Sequence, residues 1–461
     1  MTSSPTVDDL VGAGWHAPTP GRPIAATVHL PGSKSLTNRY LVLAALADEP
    51  SRLRAPLRSR DTLLMAEGLR RLGAVVRDGG TPDGQVADWF VTPIPRADGG
   101  SGDPAGPVEV DPVEVDPVQI DCGLAGTVMR FLPAVVAVSG RSARLFGDPR
   151  LHERPVAPLL QALRDAGADV EDTGGYFPVT VRGGRVPVGG DVTLDSGASS
   201  QFLSGLLLAA ARMRDGLVVR HVGADVPSRP HVSMTVETLR DVGVVVDDDE
   251  ELVWRVSAGP VGGLDVTVEP DLSNAGPFLA AALVTGGQVR VPGWPQRTTQ
   301  AGDTLRDVLD AMGADVHLEQ DGLTVTHEGA IYGVDLDLHD AGEITPTVVG
   351  LAALAVSPSR LRGIGHLRGH ETDRLEALAT EVRALGGEVD VLPDGLRITP
   401  RPLHGGLWNS YADHRMATTG AVVGLRVPGV VVQDVQTTTK TLPDFVGMWA
   451  AMVASVSVGP H

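Results

Sequence analysis

The chain has 461 residues, 42% of them hydrophobic, enough for two large domains or about three of ordinary size. With 57 acidic against 38 basic side chains, the formal charge of −19 disfavours nucleic acid as a bulk partner. The single cysteine, Cys122, excludes an internal disulfide and a cysteine zinc site, and no apolar run approaches the ~18 residues of a membrane span.

The first thirty residues hold one basic side chain, Arg22, and no apolar core, so no leader peptide is expected and the cytoplasm is the expected compartment. The segment L-P-G-S-K-S-L-T-N-R at 30–39 then runs into an apolar helix at 40–47. A Gly-Ser-Lys-Ser turn opening a helix offers backbone N–H groups, two hydroxyls and an ammonium to an anion. It lacks the upstream glycine of an ATP-binding P-loop. It also carries Lys34, one of only two lysines in the chain; the other is Lys440. Where arginine serves as the generic cation, a surviving lysine marks a place for a compact ammonium that can exchange a proton.

From residue 63 one pattern recurs five times: an amphipathic helix, a glycine, then a β-branched run ending in acids. The copies span 63–78, 159–172, 235–248, 304–319 and 375–391. Gly73, Gly167, Gly243, Gly313 and Gly386 stand where a helix C-cap takes a left-handed residue. These glycines lie 94, 76, 70 and 73 residues apart, so the first interval is too long. Its excess falls in 96–119, a Gly/Pro/Asp-rich stretch with a tandem V-E-V-D-P, read as a solvated loop insertion. A sixth helix at 444–454 lacks its following strand, and residues 25–30 are expected to supply it. Six such units predict two domains of three α+β units each.

Four more segments repeat the anion-facing helix start. G-L-A-G-T-V-M-R at 123–130 sets a flexible turn before a helix, and D-S-G-A-S-S-Q at 195–201 clusters hydroxyls before a helix at 202–211. V-P-S-R-P-H at 226–231 puts Ser228 before the third repeat, and H-E-T-D-R at 370–374 opens the fifth. Together they describe a basic, hydroxyl-lined site for small multiply anionic ligands; arginines paired with surface acids are the alternative. Candidates for proton chemistry are Glu343, Glu371, Asp340, Asp413 and His414. No Gly-x-Ser-x-Gly elbow, H-E-x-x-H or metal-ligand cluster occurs, so neither metal nor cofactor is expected.

These segments, with E-R-P at 153–155, S-S-Q-F at 199–202, D-H-R-M at 413–416 and T-T-K-T-L-P-D-F at 438–445, run in order over almost the whole chain. The set resembles the enolpyruvyl transferase family, in the branch that joins phosphoenolpyruvate to shikimate 3-phosphate. The resemblance implies an α+β, two-domain inverse α/β barrel-like fold with three βαβαββ repeats per domain. One domain would comprise 1–30 plus 271–461 and the other 31–270, closing on ligands held at helix N-termini. It also implies a monomer that needs no cofactor.

Carried over residue by residue, Ser35 and Arg39 resemble the ligands of the shikimate carboxylate. Ser199, Ser200 and Ser228 resemble the hydroxyls on its phosphate, with Gln201 against the ring and His366 and His370 nearby. Lys34, Arg154, Arg374, Arg415 and Lys440 resemble the phosphoenolpyruvate cluster, with Gly126 pressing backbone against that ligand. The family chemistry is addition–elimination: the vinyl carbon is protonated, the 5-hydroxyl attacks, and proton loss from the new methyl expels phosphate. Glu371 matches the glutamate that moves the methylene proton. Glu343 and Lys34 match the groups beside the attacking hydroxyl.

Some positions depart from the family pattern. Leu124 stands where many members have Asn, Phe131 where Pro is common, and Glu343 where many have Asp. His366, His370 and His231 replace Asn, Lys and Tyr. A histidine holds charge only below about pH 6.5, so phosphate affinity through His370 is expected to fall as pH rises. The sister branch, which acts on UDP-N-acetylglucosamine, uses a loop cysteine and carries Gly-Ala-Lys-Asn where this chain has Gly-Ser-Lys-Ser. Cys122 is accordingly read as a packing residue. A silent anion-binding scaffold is the reading from another class, and the presence of both lysines and Glu371 opposes it.

Overall fold

The computed structural model describes residues 14–79, 88–96, 116–223 and 225–455. The chain divides into two compact units, a central one, Gly32–Val268, and a discontinuous one, Met1–Pro31 with Glu269–His461. Most of the insertion expected at 96–119 lies outside the described residues; Val118 and Gln119, assigned to it from sequence, open the strand Val118–Asp121.

In the central unit the helices are α1 (Lys34–Leu46), α2 (Arg60–Arg71), α3 (Gly126–Ser139), α4 (Ala157–Asp165), α5 (Ser200–Ala210) and α6 (Pro230–Asp241). Each copy of the repeat in this unit is a four-stranded mixed sheet with the order β-α-β-α-β-β. In the second copy Val118–Asp121 runs parallel to Ala143–Phe146, with Val118 opposite Ala143, and α3 makes the crossover. After α4 the strands Asp169–Glu171 and Val179–Arg182 pair antiparallel and close the sheet. The third copy repeats this with Gly190–Leu194 and Leu217–His221 around α5. The first copy borrows its opening strand, Asp265–Thr267, from the far end of the unit.

The discontinuous unit carries α7 (Leu272–Thr285), α8 (Leu305–Ala311), α9 (Thr345–Ala353), α10 (Arg374–Ala384), α11 (His414–Gly424) and α12 (Phe445–Ala454). Here the sequence expectation needs a correction. Ala25–Thr27 does not complete the sixth copy; it lies parallel to Gln288–Pro292 and opens the fourth. The unit resumes at Glu269, only three residues before α7, which leaves no room for an opening strand there. The sixth copy takes Trp15–His16 instead, antiparallel to Val430–Val432 in a three-stranded sheet with Gly406–Trp408.

Two kinds of helix result. The inner helices α1, α3, α5, α7, α9 and α11 are buried on nearly every face and form the heart of two separate cores. The outer helices α2, α4, α6, α8 and α10 bury one stripe, and these are the five repeats visible in the sequence. All five end alike. Gly73, Gly167, Gly243, Gly313 and Gly386 have positive φ, and the N–H of each glycine and of the next residue returns to the last helical turn. In four copies an arginine three residues before the glycine also reaches a carbonyl of the following strand. These are Arg70 to Val76 (3.0 Å), Arg164 to Val170 (3.1 Å), Arg240 to Val246 (2.9 Å) and Arg383 to Val389 (2.9 Å). Among the described residues no helix is long and apolar enough to cross a membrane.

Candidate functional site

In the central unit most of the expected site residues stand at the starts of α1, α3, α5 and α6, while Arg154 ends the short turn before α4. Ser33 caps α1 by accepting from the Leu36 N–H, which places Lys34 and Ser35 in the first turn. Lys34 Nζ lies 3.7 Å from Asp61 Oδ2 of α2, a carboxylate that is 1% exposed and accepts no hydrogen bond among the described residues. Ser199 caps α5, accepting from the Gln201 N–H at 3.3 Å, with Ser200 buried behind it. Ser228 precedes α6 in a left-handed conformation, φ 53°.

No side chain caps α3, which begins at Gly126. A Cβ there would sit 3.0 Å from Arg130 Nη1, 3.2 Å from Gln201 Oε1 and 3.6 Å from Arg154 Nη2. Glycine therefore lets three polar groups crowd a bare helix N-terminus, where backbone N–H groups and the dipole favour an anion. Arg130 Nη1 donates to Gln201 Oε1 at 2.9 Å. Arg154 Nη1 reaches the Leu124 carbonyl at 3.4 Å, while its buried Nε has no hydrogen-bond partner. Leu124 thus contributes backbone where an Asn side chain is common. Arg39 is 1% exposed and its donors turn onto the protein: Thr235 Oγ1 (2.8 Å), the Ser35 carbonyl (3.0 Å), Ser204 Oγ (3.2 Å) and the His231 carbonyl (2.8 Å). Cys122 is fully buried, and burial pushes its thiol far above the usual range, so it packs and does not react.

In the discontinuous unit the expected residues form one ionic network. Asp413 caps α11 and is fully buried; its Oδ2 takes Arg374 Nε at 2.7 Å and its Oδ1 takes Arg374 Nη2 at 3.2 Å. The same Arg374 Nη2 reaches Glu371 Oε2 at 2.9 Å, and Lys440 Nζ binds the other oxygen of Glu371. Arg415 Nη2 and Ser273 Oγ both reach Glu343 Oε2 at 3.1 Å. Burial works to raise the Glu371 carboxyl, but Lys440 and Arg374 outweigh it and hold the group ionised, well below the ordinary carboxylate range.

The histidines line up beside this network. His339, His366 and His370 follow one another with ring centroids 5.7 and 5.8 Å apart. Arg374 Nη1 lies 3.0 Å from His370 Nδ1. A guanidinium only donates, so Nδ1 is the acceptor and the neutral ring carries its proton on Nε2. Burial first, then Arg374, hold His370 well below its usual pKa, and burial with His339 lowers His366. This runs against the pH expectation: with its pKa held down, the His370 ring favours the neutral form and has less charge to lose as pH rises. Asp340 is exposed. Arg130 and Asp61 were not singled out as site residues by sequence; the G-L-A-G-T-V-M-R motif contained the first, and nothing local marked the second. Among the described residues no group of three or more His, Cys, Asp or Glu side chains is arranged to hold a metal ion.

The sequence profile of EPSP synthase (3-phosphoshikimate 1-carboxyvinyltransferase) matches residues 18–83 and 108–449. A 3-phosphoshikimate 1-carboxyvinyltransferase from Kocuria rhizophila is 55% identical over 452 residues, 97% of each chain. Among solved structures, EPSP synthase from Acinetobacter baumannii superposes with a TM-score of 0.77 at 23% identity, covering 95% of this chain and 98% of its own. The enolpyruvyl transferase NikO from Streptomyces tendae gives 0.70 at 20% identity, covering 94% and 96%. The structural likenesses establish the α+β fold of repeated βαβαββ units, and the sequence matches establish more: the chain belongs to the EPSP synthase family and carries its 3-phosphoshikimate 1-carboxyvinyltransferase activity.

Proposed function

We propose that the two sets of residues divide the work of this transfer between them. In the central unit Ser199, Ser200 and Ser228 take the phosphate of shikimate 3-phosphate, Gln201 lies against its ring, and Ser35 with Arg39 takes its carboxylate. Arg154 and the bare N-terminus at Gly126 hold phosphoenolpyruvate, and Lys34 serves both ligands. In the discontinuous unit Arg374, Arg415 and Lys440 hold phosphoenolpyruvate, and His366 and His370 contact the phosphorylated shikimate. Glu343 helps Lys34 ionise the attacking hydroxyl. Glu371 gives a proton to the vinyl methylene and later retrieves one from the methyl, with loss of phosphate.

The observation that carries this reading is the clasp of Glu371 by Arg374 and Lys440. These two cations keep the carboxylate ionised, and a bound trianion draws on the same two charges. Phosphoenolpyruvate therefore lifts Glu371 toward the range in which it can take a proton, so the acid is armed by its own substrate. The test is turnover in deuterated water with both substrates. Phosphate release that requires both, with deuterium appearing in the vinyl group of the product, supports the assignment. Deuterium incorporation undiminished in Glu371→Gln would remove Glu371 from the proton path. We further assign the chain a monomeric, cytoplasmic existence, in line with the family resemblance. Sedimentation that showed a stable dimer would overturn the monomer.

A further inference from the structure

Glu381 lies on α10 seven residues beyond Arg374, hence two turns further along the same helix face. It is 1% exposed. Its carboxylate accepts from the Asn409 N–H at 2.8 Å, from Asn409 Nδ2 at 3.1 Å and from the Tyr411 hydroxyl at 2.5 Å. All three donors are neutral, whereas the other acids of this unit's network meet arginine or lysine. A buried carboxylate that gathers donors from one short turn organises that turn.

The turn needs organising. Tyr411 and Ala412 follow one another at φ 54° and 55°, a left-handed pair with no glycine. Trp408, at the end of the preceding strand, anchors the near side by donating to the Met416 carbonyl at 2.8 Å. The far side of the turn is Asp413, whose N–H donates to the Ser410 carbonyl at 2.9 Å and whose carboxylate holds Arg374 through two bonds. Burial and the bond to Glu381 push the Tyr411 hydroxyl up to about 12, so it stays a donor at working pH. We propose that Glu381 is a positioning residue for the transfer: it clamps the turn at residues 409–412 in its left-handed form, and so fixes Asp413 where it aims Arg374 at phosphoenolpyruvate. This rests on Arg374 being a phosphoenolpyruvate ligand.

The experiment is steady-state kinetics on Glu381→Gln, Tyr411→Phe and Arg374→Lys, with thermal midpoints for each. Glu381→Gln keeps the volume but turns an amide donor toward the turn's donors. It is expected to raise the KM for phosphoenolpyruvate about ten-fold while the KM for shikimate 3-phosphate stays within about two-fold. Tyr411→Phe removes a single hydroxyl and is expected to show the same selective rise at about three-fold, which keeps the test open should Glu381→Gln fail to fold. Both KM values rising together, or a phosphoenolpyruvate KM unchanged in the folded variants, would overturn the proposal. Arg374→Lys separates the two layers. If it raises the phosphoenolpyruvate KM while the other two variants do not, only the positioning role falls. If it too leaves that KM unchanged, the assignment of Arg374 falls and takes the proposal with it.

Discussion

The central unit sets hydroxyls, an amide and a carbonyl around its candidate cations, whereas the discontinuous unit carries a mesh of opposed charges. In the central set, Arg130 leans on an amide and Arg154 on a carbonyl, and the serine hydroxyls sit at helix caps. Lys34 has a buried acid, Asp61, at 3.7 Å. In the other unit Arg374, Lys440 and Arg415 are each engaged with Asp413, Glu371 or Glu343. Neutral donors keep their strength whatever else binds. Paired charges do not: each is held in place by its partners, and an arriving anion redistributes the whole set. The first arrangement suits recognition of a phosphate and the second suits moving a proton.

The largest expected effect breaks the mesh at its centre. Glu371→Gln keeps the shape and removes the proton carrier, so turnover is expected to fall by about 10²–10⁴ while equilibrium binding of phosphoenolpyruvate survives. Loss of binding in parallel with turnover would instead make Glu371 a structural strut. Next comes Lys34→Arg, which keeps charge but abolishes proton exchange; turnover is expected to drop about 100-fold with the thermal midpoint little changed. Near-normal turnover would reduce Lys34 to a generic cation like its arginine neighbours.

The third effect is one of pH. Because His370 is neutral in the folded chain well below its ordinary pKa, affinity for shikimate 3-phosphate should stay flat between pH 6 and 8, as titration calorimetry can show. For stability the sign runs the other way from a salt-bridged histidine. The unfolded chain takes the proton first, so stability is lost as pH falls from about 6.5 toward the depressed folded value and is intact above it. His370→Asn should lose less of its thermal midpoint than the wild type over that acid interval. The smallest effect lies far from either set. Gly243→Ala forces a side chain into φ 79° at an open C-cap, costing about 1 kcal/mol of stability with both KM values unchanged. A change in KM there would show that the outer layer and the site are coupled.

What the sequence disclosed follows from which helices carry a period. The outer helices face water on one side, so their leucines recur at helical spacing and the glycines after them announced five repeats. The inner helices are buried nearly all round. A run such as Val-Met-Arg-Phe-Leu-Pro-Ala-Val-Val on α3 has no polar face to read, and only its Gly-rich start gave it away. Strand partners were the weakest reading, because which sheet Ala25–Thr27 completes depends on where the chain crosses between units and not on its own three residues. Among the candidate site residues, both lysines stood out by composition and most of the others by motif. Asp61 and Glu381 were not, since a single acid among 57 carries no local signature until burial singles it out. The tautomer of His370 was equally hidden, for it is set by a guanidinium four residues on, at the start of α10.

The arginine clasp on four of the five outer edges has a consequence for how this protein can change over time. Each clasp joins residues only six apart, so every edge is closed by its own neighbourhood and owes nothing to the other copies. Damage to one is local and its cost adds to, without multiplying, the cost of the next. The fourth copy already does without, having Asp310 where the others have arginine. Each outer helix end can therefore change by itself, whereas the starts of α6 and α10, where Ser228, Glu371 and Arg374 stand, are bound to the candidate site.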